Sequence, residues 1–229
     1  MSTLPSQTGL GSSSSFIVGL LNAFHQLNHN TPETKTNLGK QSILIEREDI
    51  LLEKGGWQDG IWAAEGGVNS ITISKSGEYR VRPLPISKEF LNEFHQNLVL
   101  FYTGQTRKSY EIADSHDNKD AEKEKKEIHA IAKEALIAFS NEDIKTIGKL
   151  LDESWQHKRK TSKLISTKII DDIYTTAKNN GCCGFKLLGA GQSGFVVCLT
   201  EDRHRLIKNI DLPHIDFNFD YEGSKIILS

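Results

Sequence analysis

The sequence predicts an α+β protein built as two lobes. Two observations carry that expectation. Helical three- and four-residue spacings and short alternating or apolar runs are interspersed along the chain. A proline pair, Pro83 and Pro85, separates two stretches that each hold both kinds of pattern. The 229 residues suffice for one large domain or two small ones. The expected division is 1–83 and 84–229.

The first lobe opens with Gly9-Leu10-Gly11-Ser12-Ser13-Ser14-Ser15. Phe16, Ile17, Leu20, Leu21, Phe24 and Leu27 follow at helical steps, so a glycine-serine loop runs straight into an amphipathic helix. Residues 31–37 read as a loop. A second helix is expected over 40–54 on Ile43, Leu44, Leu51 and Leu52, broken by Gly55-Gly56. A short helix over 58–65 ends at Gly66-Gly67. Two strands, 68–74 and 78–82, flank the turn Lys75-Ser76-Gly77.

In the second lobe, Leu98-Val99-Leu100-Phe101-Tyr102 reads as a buried strand. Residues 114–126 carry charges of both signs and read as a solvated loop entering a helix. Three helices follow. The first carries Ile128, Ile131, Ala135, Leu136 and Phe139. The second, started by Asn141-Glu142-Asp143, carries Ile144, Ile147, Leu151 and Trp155. The third carries Leu164, Ile165, Ile169, Ile170, Ile173 and Ala177 and stops at Gly181. Strands at 185–188 and 195–199 enclose a second glycine loop. A short helix and strands near 215–219 and 225–228 complete the pattern.

Charge and composition exclude several functions. Lys plus Arg is 28 against 30 for Asp plus Glu, which gives no electrostatic reason to expect nucleic acid. No apolar run of about eighteen residues exists to span a membrane. Met1 to Pro5 lacks the basic-then-apolar pattern of a secretory signal. Three cysteines, two of them adjacent, make no disulfide framework, so a reduced, cytoplasmic setting is expected.

Four stretches could carry chemistry. Glycines in 9–15 let backbone N–H groups approach a ligand, and the helix start adds its dipole, which together suit a phosphate. The serines there can cap the helix or ligate Mg²⁺. Asp59, just past Gly56-Trp57-Gln58, is either a dipole-matched helix acid or an acid beside a substrate hydroxyl. Glu46 and Glu48 are two apart, so at most one of them faces a Mg²⁺ site on one helix face. Gly189, Gly191 and Gly194 match a G-x-G-x-x-G spacing, but a strand follows where a dinucleotide fold needs a helix. They read as a tight turn or the wall of a phosphate site. Arg107 with Lys108, and Lys158 with Arg159 and Lys160, are basic groups able to hold a substrate phosphate or simply to be solvated. His25 and His29, four apart, lack any zinc motif and read as surface residues. Cys182-Cys183 reads as buried or redox-silent.

The joint order of Pro5-x-x-x-Gly9-Leu10-Gly11-Ser12-Ser13, Glu46-x-Glu48, Gly56-x-Gln58-Asp59 with Ala63-Ala64 and Gly66-Gly67-Val68-Asn69, and Gly189-Ala190-Gly191-x-x-Gly194 resembles the GHMP small-molecule kinases. Leu150-Leu151 and Trp155-x-x-Lys158 resemble the sugar 1-kinase branch, which holds heptose 7-phosphate kinases and fucokinases. The resemblance implies an ATP-binding lobe and a ferredoxin-like C-terminal lobe. It implies that Gly9, Leu10, Gly11, Ser12, Ser13 and Ser14, with Gly189 and Gly191, bind the ATP phosphates. Ser13, Glu46 and Glu48 would meet Mg²⁺, with Glu46 the first choice. Asp59 would accept the proton of the sugar's anomeric hydroxyl, and Gln58, Arg107 and Lys158 would contact a sugar phosphate. A homodimer is compatible with it. The pattern departs from the family before Pro5, where the family's N-terminal strands are not seen, so the expected first lobe is incomplete. A non-catalytic remnant is the alternative expectation. Gln192-Ser193 and Gly60 also depart from the family's usual residues.

Overall fold

The computed structural model describes residues 9–29, 33–49, 51, 56–104 and 119–227. The chain divides into two compact units. One holds residues 10–84 and the final segment from Phe219. The other holds Gly9 and residues 85–218.

In the first unit, α1 (Ser12–His29) packs on α2 (Lys35–Ile43) and α3 (Gln58–Glu65). The α1 face that packs inward carries Val18, which meets Leu38 of α2 and Ala64 of α3. Thr34 caps α2, its hydroxyl accepting the Asn37 N–H at 3.3 Å. This cap explains why the helix begins at Lys35, inside the stretch expected to be loop. A wider π turn, Leu44–Asp49, continues α2. The expected helix over 40–54 therefore begins earlier, and its regular part stops at Ile43. Residues 52–55, including Gly55, lie outside the described residues. The hairpin β1 (Asn69–Ile73) and β2 (Tyr79–Pro83) pairs Ile71 with Val81. Tyr79, Ile43 and Ile61 form a second apolar cluster beneath it. The final segment is hydrogen-bonded to the end of α3, with the Gly67 N–H donating to the Asp220 carbonyl at 2.7 Å. Residues 225–227 form no strand, contrary to expectation.

The second unit starts with α4 (Lys88–Asn97), a helix the sequence pattern did not announce. Ser87 caps it, accepting the Phe90 N–H at 3.1 Å. Then come β3 (Leu98–Tyr102), α5 (Lys119–Ser140), α6 (Ile144–Lys160), α7 (Lys168–Asn179), β4 (Cys182–Leu187), β5 (Phe195–Thr200), α8 (Arg203–Asn209) and β6 (His214–Ile215). Asp143 and Thr167 cap α6 and α7. The antiparallel sheet runs β4-β5-β3-β6. With β3, β4, β5 and β6 taken as first to fourth, this is the strand order of a ferredoxin-like fold. Strand β6 is only two residues long, because it is an edge strand whose pairing with β3 covers Ile215 and His214 alone.

The core of this unit lies between α6, α7 and the sheet. Trp155, Phe101, Phe185, Ile165, Ile170, Leu187, Val196 and Leu206 are buried there. Helix α6 can approach β4 closely because glycine meets glycine: a Cβ on Gly184 would lie 2.7 Å from the Gly148 carbonyl oxygen. That contact fixes the side chains about two and three turns farther along α6, Ser154 and Lys158 among them.

Candidate active site

In the first unit, Gly11 leads directly into α1, accepting the first helical bond from the Ser15 N–H at 2.9 Å. Its φ is +67°, a conformation that glycine adopts without strain. Ser12, Ser13 and Ser14 form the first turn, where backbone amides stay unpaired within the helix. Ser14 is buried, and its hydroxyl donates to both oxygens of Glu46 at 2.8 Å. The more exposed Ser13 donates to Glu46 Oε1 at 3.1 Å. Ser42, one turn before Glu46, approaches Oε2 at 3.5 Å. The Glu46 side chain is 1% exposed, and among the described residues no Lys, Arg or His forms an ion pair with it. An ionised carboxylate in that setting is costly unless a cation joins it. Hard oxygen donors of this kind suit Mg²⁺.

Asp59 stands in the first turn of α3 and packs against Gly11. A Cβ on Gly11 would lie 3.3 Å from Asp59 Cβ and 3.8 Å from its Oδ1. Loss of water around the Asp59 carboxyl pushes its pKa up. The Arg47 guanidinium opposes the rise, and Glu46 adds to it. The residue is exposed, so solvent screening limits the effect. Arg47 also donates to the Gly56 carbonyl at 3.3 Å, which ties down the approach to α3. The phosphate-suited loop, a buried acid and an open acid therefore meet at one helix start.

In the second unit, Gly9 and Gly189 face each other. A Cβ on Gly189 would lie 2.6 Å from Gly9 Cα, so neither position admits a side chain. The loop that follows is fixed at several points. The Gln192 N–H donates to the Ile165 carbonyl at 2.8 Å. Thr103 exchanges two bonds with Gly194, its hydroxyl accepting from the N–H at 3.0 Å and donating to the carbonyl at 2.9 Å. Lys158 donates to the Leu187 carbonyl at 3.1 Å and the Gly189 carbonyl at 2.5 Å. Burial, with repulsion from Lys186, brings the Lys158 pKa down to about 7.

Two models of kinase domains match this chain: "GHMP kinases N terminal domain" over residues 1–67 and "GHMP kinases C terminal" over residues 132–210. The D-glycero-alpha-D-manno-heptose 7-phosphate kinase of Campylobacter jejuni is 32% identical over 98% of this chain and 68% of its own length. The chain belongs to the GHMP kinase family. A bifunctional fucokinase/GDP-fucose pyrophosphorylase of Arabidopsis thaliana is 25% identical over 88% of this chain and 20% of its own length. Among solved structures, a D-glycero-D-manno-heptose 1-phosphate kinase from Bacteroides thetaiotaomicron superposes with a TM-score of 0.68 at 24% identity, over 96% of this chain and 63% of that one. That likeness speaks to the fold. The chain thus spans about two thirds of the length of these heptose kinases.

For this GHMP kinase chain, the structure brings Gly11, Ser13, Ser14, Glu46 and Asp59 together within one unit. In the other unit it brings Gly9 to Gly189 and Lys158. Leu10 is half-buried, and Ser12 opens the helix. Gln58 is exposed and folds back over Gly56, where a Cβ would lie 1.8 Å from Gln58 Oε1. Gly191 packs on Ile165 rather than on Gly9. Arg107 and Lys108, Pro5, and the side chains of Glu48 and His29 lie outside the described residues. His25, expected at the surface, is half-buried and contacts Gln41 at 2.9 Å and Glu33 at 3.7 Å. Cys182, Cys183 and Cys198 are free thiols. Among the described residues no helix is long and apolar enough to cross a membrane. Sequence reasoning passed over Ser42, Thr103 and Lys186. The four-residue spacing of Ser42 and Glu46 was a visible signal. Thr103 and Lys186 act across the sheet, which spacing along the chain does not reveal.

Proposed function

We propose that the chain is an ATP-dependent sugar-phosphate kinase that moves the γ-phosphoryl group of ATP to the anomeric hydroxyl of D-glycero-D-manno-heptose 7-phosphate. The observation that carries this reading is the buried Glu46 carboxylate, bonded to Ser13 and Ser14 at the start of α1 with Asp59 packed on Gly11. The named substrate of the Campylobacter jejuni relative supplies the choice of sugar.

In this reading the expected division, 1–83 for the ATP-binding lobe and 84–229 for the C-terminal lobe, holds apart from the segment from Phe219, which packs in the first unit. Amides of Gly9, Leu10, Gly11, Ser12, Ser13 and Ser14 hold the ATP phosphates, helped by the dipole of α1. Gly189 and Gly191 shape the second glycine loop for the same task. Glu46 and Ser13 hold magnesium, with Glu48 as the other candidate ligand. Magnesium, when bound, neutralises charge on the transferring phosphoryl group. Asp59 orients the acceptor hydroxyl and takes its proton as the new P–O bond forms and ADP departs. Gln58, Arg107 and Lys158 contact the sugar phosphate. The three free thiols favour a reducing compartment such as the cytoplasm.

Calorimetric titration with Mg-ATP, followed by sugar-dependent ADP release, tests the proposal. Binding and release with heptose 7-phosphate support it. Release with fucose alone would move the chain to the fucokinase reading that the Arabidopsis thaliana relative suggests. Neither binding nor release would leave a scaffold without turnover.

A further inference from the structure

Two lysines of the second unit form a cationic pair without an acid. Lys158 closes the last turn of α6, and Lys186 sits on β4, one residue before the carbonyl of Leu187 that Lys158 also binds. Lys186 donates to the Ser154 hydroxyl at 2.9 Å, and Ser154 lies one turn before Lys158 on the same face of α6. Among the described residues neither ammonium makes an ion pair. Both residues are half-buried, and loss of water around the ammonium heads is the main cause lowering the pKa of each.

The donor count leaves room for a ligand. An ammonium carries three N–H donors. Lys158 spends two on carbonyls, and Lys186 spends one on Ser154. Three N–H donors and the proton of the Ser154 hydroxyl remain. Two like charges close together and partly stripped of water are unfavourable until a negative group joins them. A doubly charged, many-acceptor anion matches two cations and several donors, whereas a single carboxylate matches only half the charge.

We infer that Lys158, Lys186 and Ser154 form a subsite for the phosphate monoester of the acceptor sugar. This inference rests on the kinase reading above and adds Lys186 and Ser154 to it. The depressed Lys158 pKa of about 7 fits the same picture, since anion binding would restore its charge. Phosphate seated here also draws Lys158 together with Gly189, the first residue of the glycine loop, so acceptor binding and loop position are linked.

Calorimetric titration of the full chain with inorganic phosphate at pH 7 and constant ionic strength tests the subsite. The wild type is expected to bind phosphate, and Lys186→Gln and Lys158→Gln each to weaken binding at least tenfold. Circular dichroism establishes that each variant is folded. If Lys158→Gln fails to fold because its carbonyl contacts are lost, Lys186→Gln and Ser154→Ala carry the test. Phosphate affinity unchanged by saturating Mg-ATP supports an acceptor subsite. Displacement of phosphate by Mg-ATP would assign the pair to the nucleotide and overturn the inference. Equal phosphate binding by wild type and Lys186→Gln, or none by the wild type at millimolar concentration, would overturn it too. Absence of Mg-ATP binding refutes the kinase reading instead, whatever phosphate does.

Discussion

Replacing Glu46 by glutamine separates a functional acid from a structural one. The side chain is 1% exposed and accepts two good hydroxyl bonds, from Ser14 at 2.8 Å and Ser13 at 3.1 Å, while Ser42 at 3.5 Å is too distant to count for much. A hydrogen bond to a charged group contributes about 1.5–3 kcal/mol and a neutral one about 0.5–1.5, so two such bonds lose about 2 kcal/mol on neutralisation. Against this stands the desolvation of an ionised carboxylate without a cation, which costs several kcal/mol. Glutamine keeps the shape, and the serine hydroxyls can rotate to meet its amide. Glu46→Gln in metal-free buffer should therefore unfold at the same denaturant concentration as the wild type or a higher one. Glu46→Ala, which orphans the buried Ser14 hydroxyl and leaves a void, should lose about 2–4 kcal/mol. Added magnesium should stabilise the wild type in proportion to ln(1 + [Mg²⁺]/Kd) and leave Glu46→Gln unmoved. Chemical denaturation with and without magnesium reads both effects. A Glu46→Gln protein that is destabilised by more than about 2 kcal/mol, yet responds to magnesium like the wild type, would show that the carboxylate is a structural anchor and refute the reasoning.

Four further outcomes are expected. Asp59→Asn should lower kcat by about 10²–10⁴ while Mg-ATP titrations stay near wild type. In the wild type, kcat/KM should rise with pH through an acidic limb set above the ordinary aspartate value of 3.8, because lost hydration and Glu46 outweigh Arg47; a limb below it would contradict that balance. Gly39→Ala would put a Cβ 2.5 Å from Tyr79 Oη, whose hydroxyl donates to the Thr36 carbonyl at 2.7 Å, and should cost about 1–3 kcal/mol in a denaturation experiment. Tyr79→Phe should restore part of that loss in the double variant, a coupling that additive behaviour would disprove. Lys158 has a folded pKa of about 7 against 10.5 unfolded, so between these values the folded state holds fewer protons and stability should rise with pH. Below pH 7 the charged form is present in both states and the contribution is gone. In phosphate-free buffer the difference between wild type and Lys158→Met should show this slope, and parallel curves from pH 7 to 10 would argue against it.

Much of the fold was legible where punctuation is local. Helix α3 is bracketed by Gly56 and Gly66-Gly67, and the hairpin turn is written in Lys75-Ser76-Gly77. Helix α4 was missed although Ser87 announces a cap and Phe90, Leu91 and Phe94 share a face, because the nearby prolines read as a boundary. The π turn at 44–49 was not legible. It belongs to a segment whose Glu46 contacts Ser14, thirty-two residues away, and no local spacing encodes that. Residues 225–228 read as a strand, yet 225–227 form none and the segment from Phe219 is held by α3. Its backbone bonds go to the end of α3, with Ser224 N–H on the Ala64 carbonyl at 3.3 Å. At the candidate site, glycines, serines and Asp59 were visible as types in order. Lys186 was not, since a lysine on a strand reads as an outward, solvated residue until the helix opposite supplies Ser154.

The distribution of unpaired charge gives the kinase reading its physical sense. Among the described residues, the first unit leaves Glu46 buried without a cation, and the second leaves Lys158 and Lys186 without an acid. Each arrangement costs stability by itself, because a desolvated charge loses its water and gains no partner. An internal salt bridge at either place would remove that cost. It would also fill the position that a ligand of opposite charge must take, and binding would then have to break it first. A carboxylate left open to a divalent cation and lysines left open to a phosphate keep their attraction for the moment of binding. The substitutions that remove these charges should therefore affect ligand affinity far more than folding, which is the opposite of what Trp155 or Phe185 in the core would do.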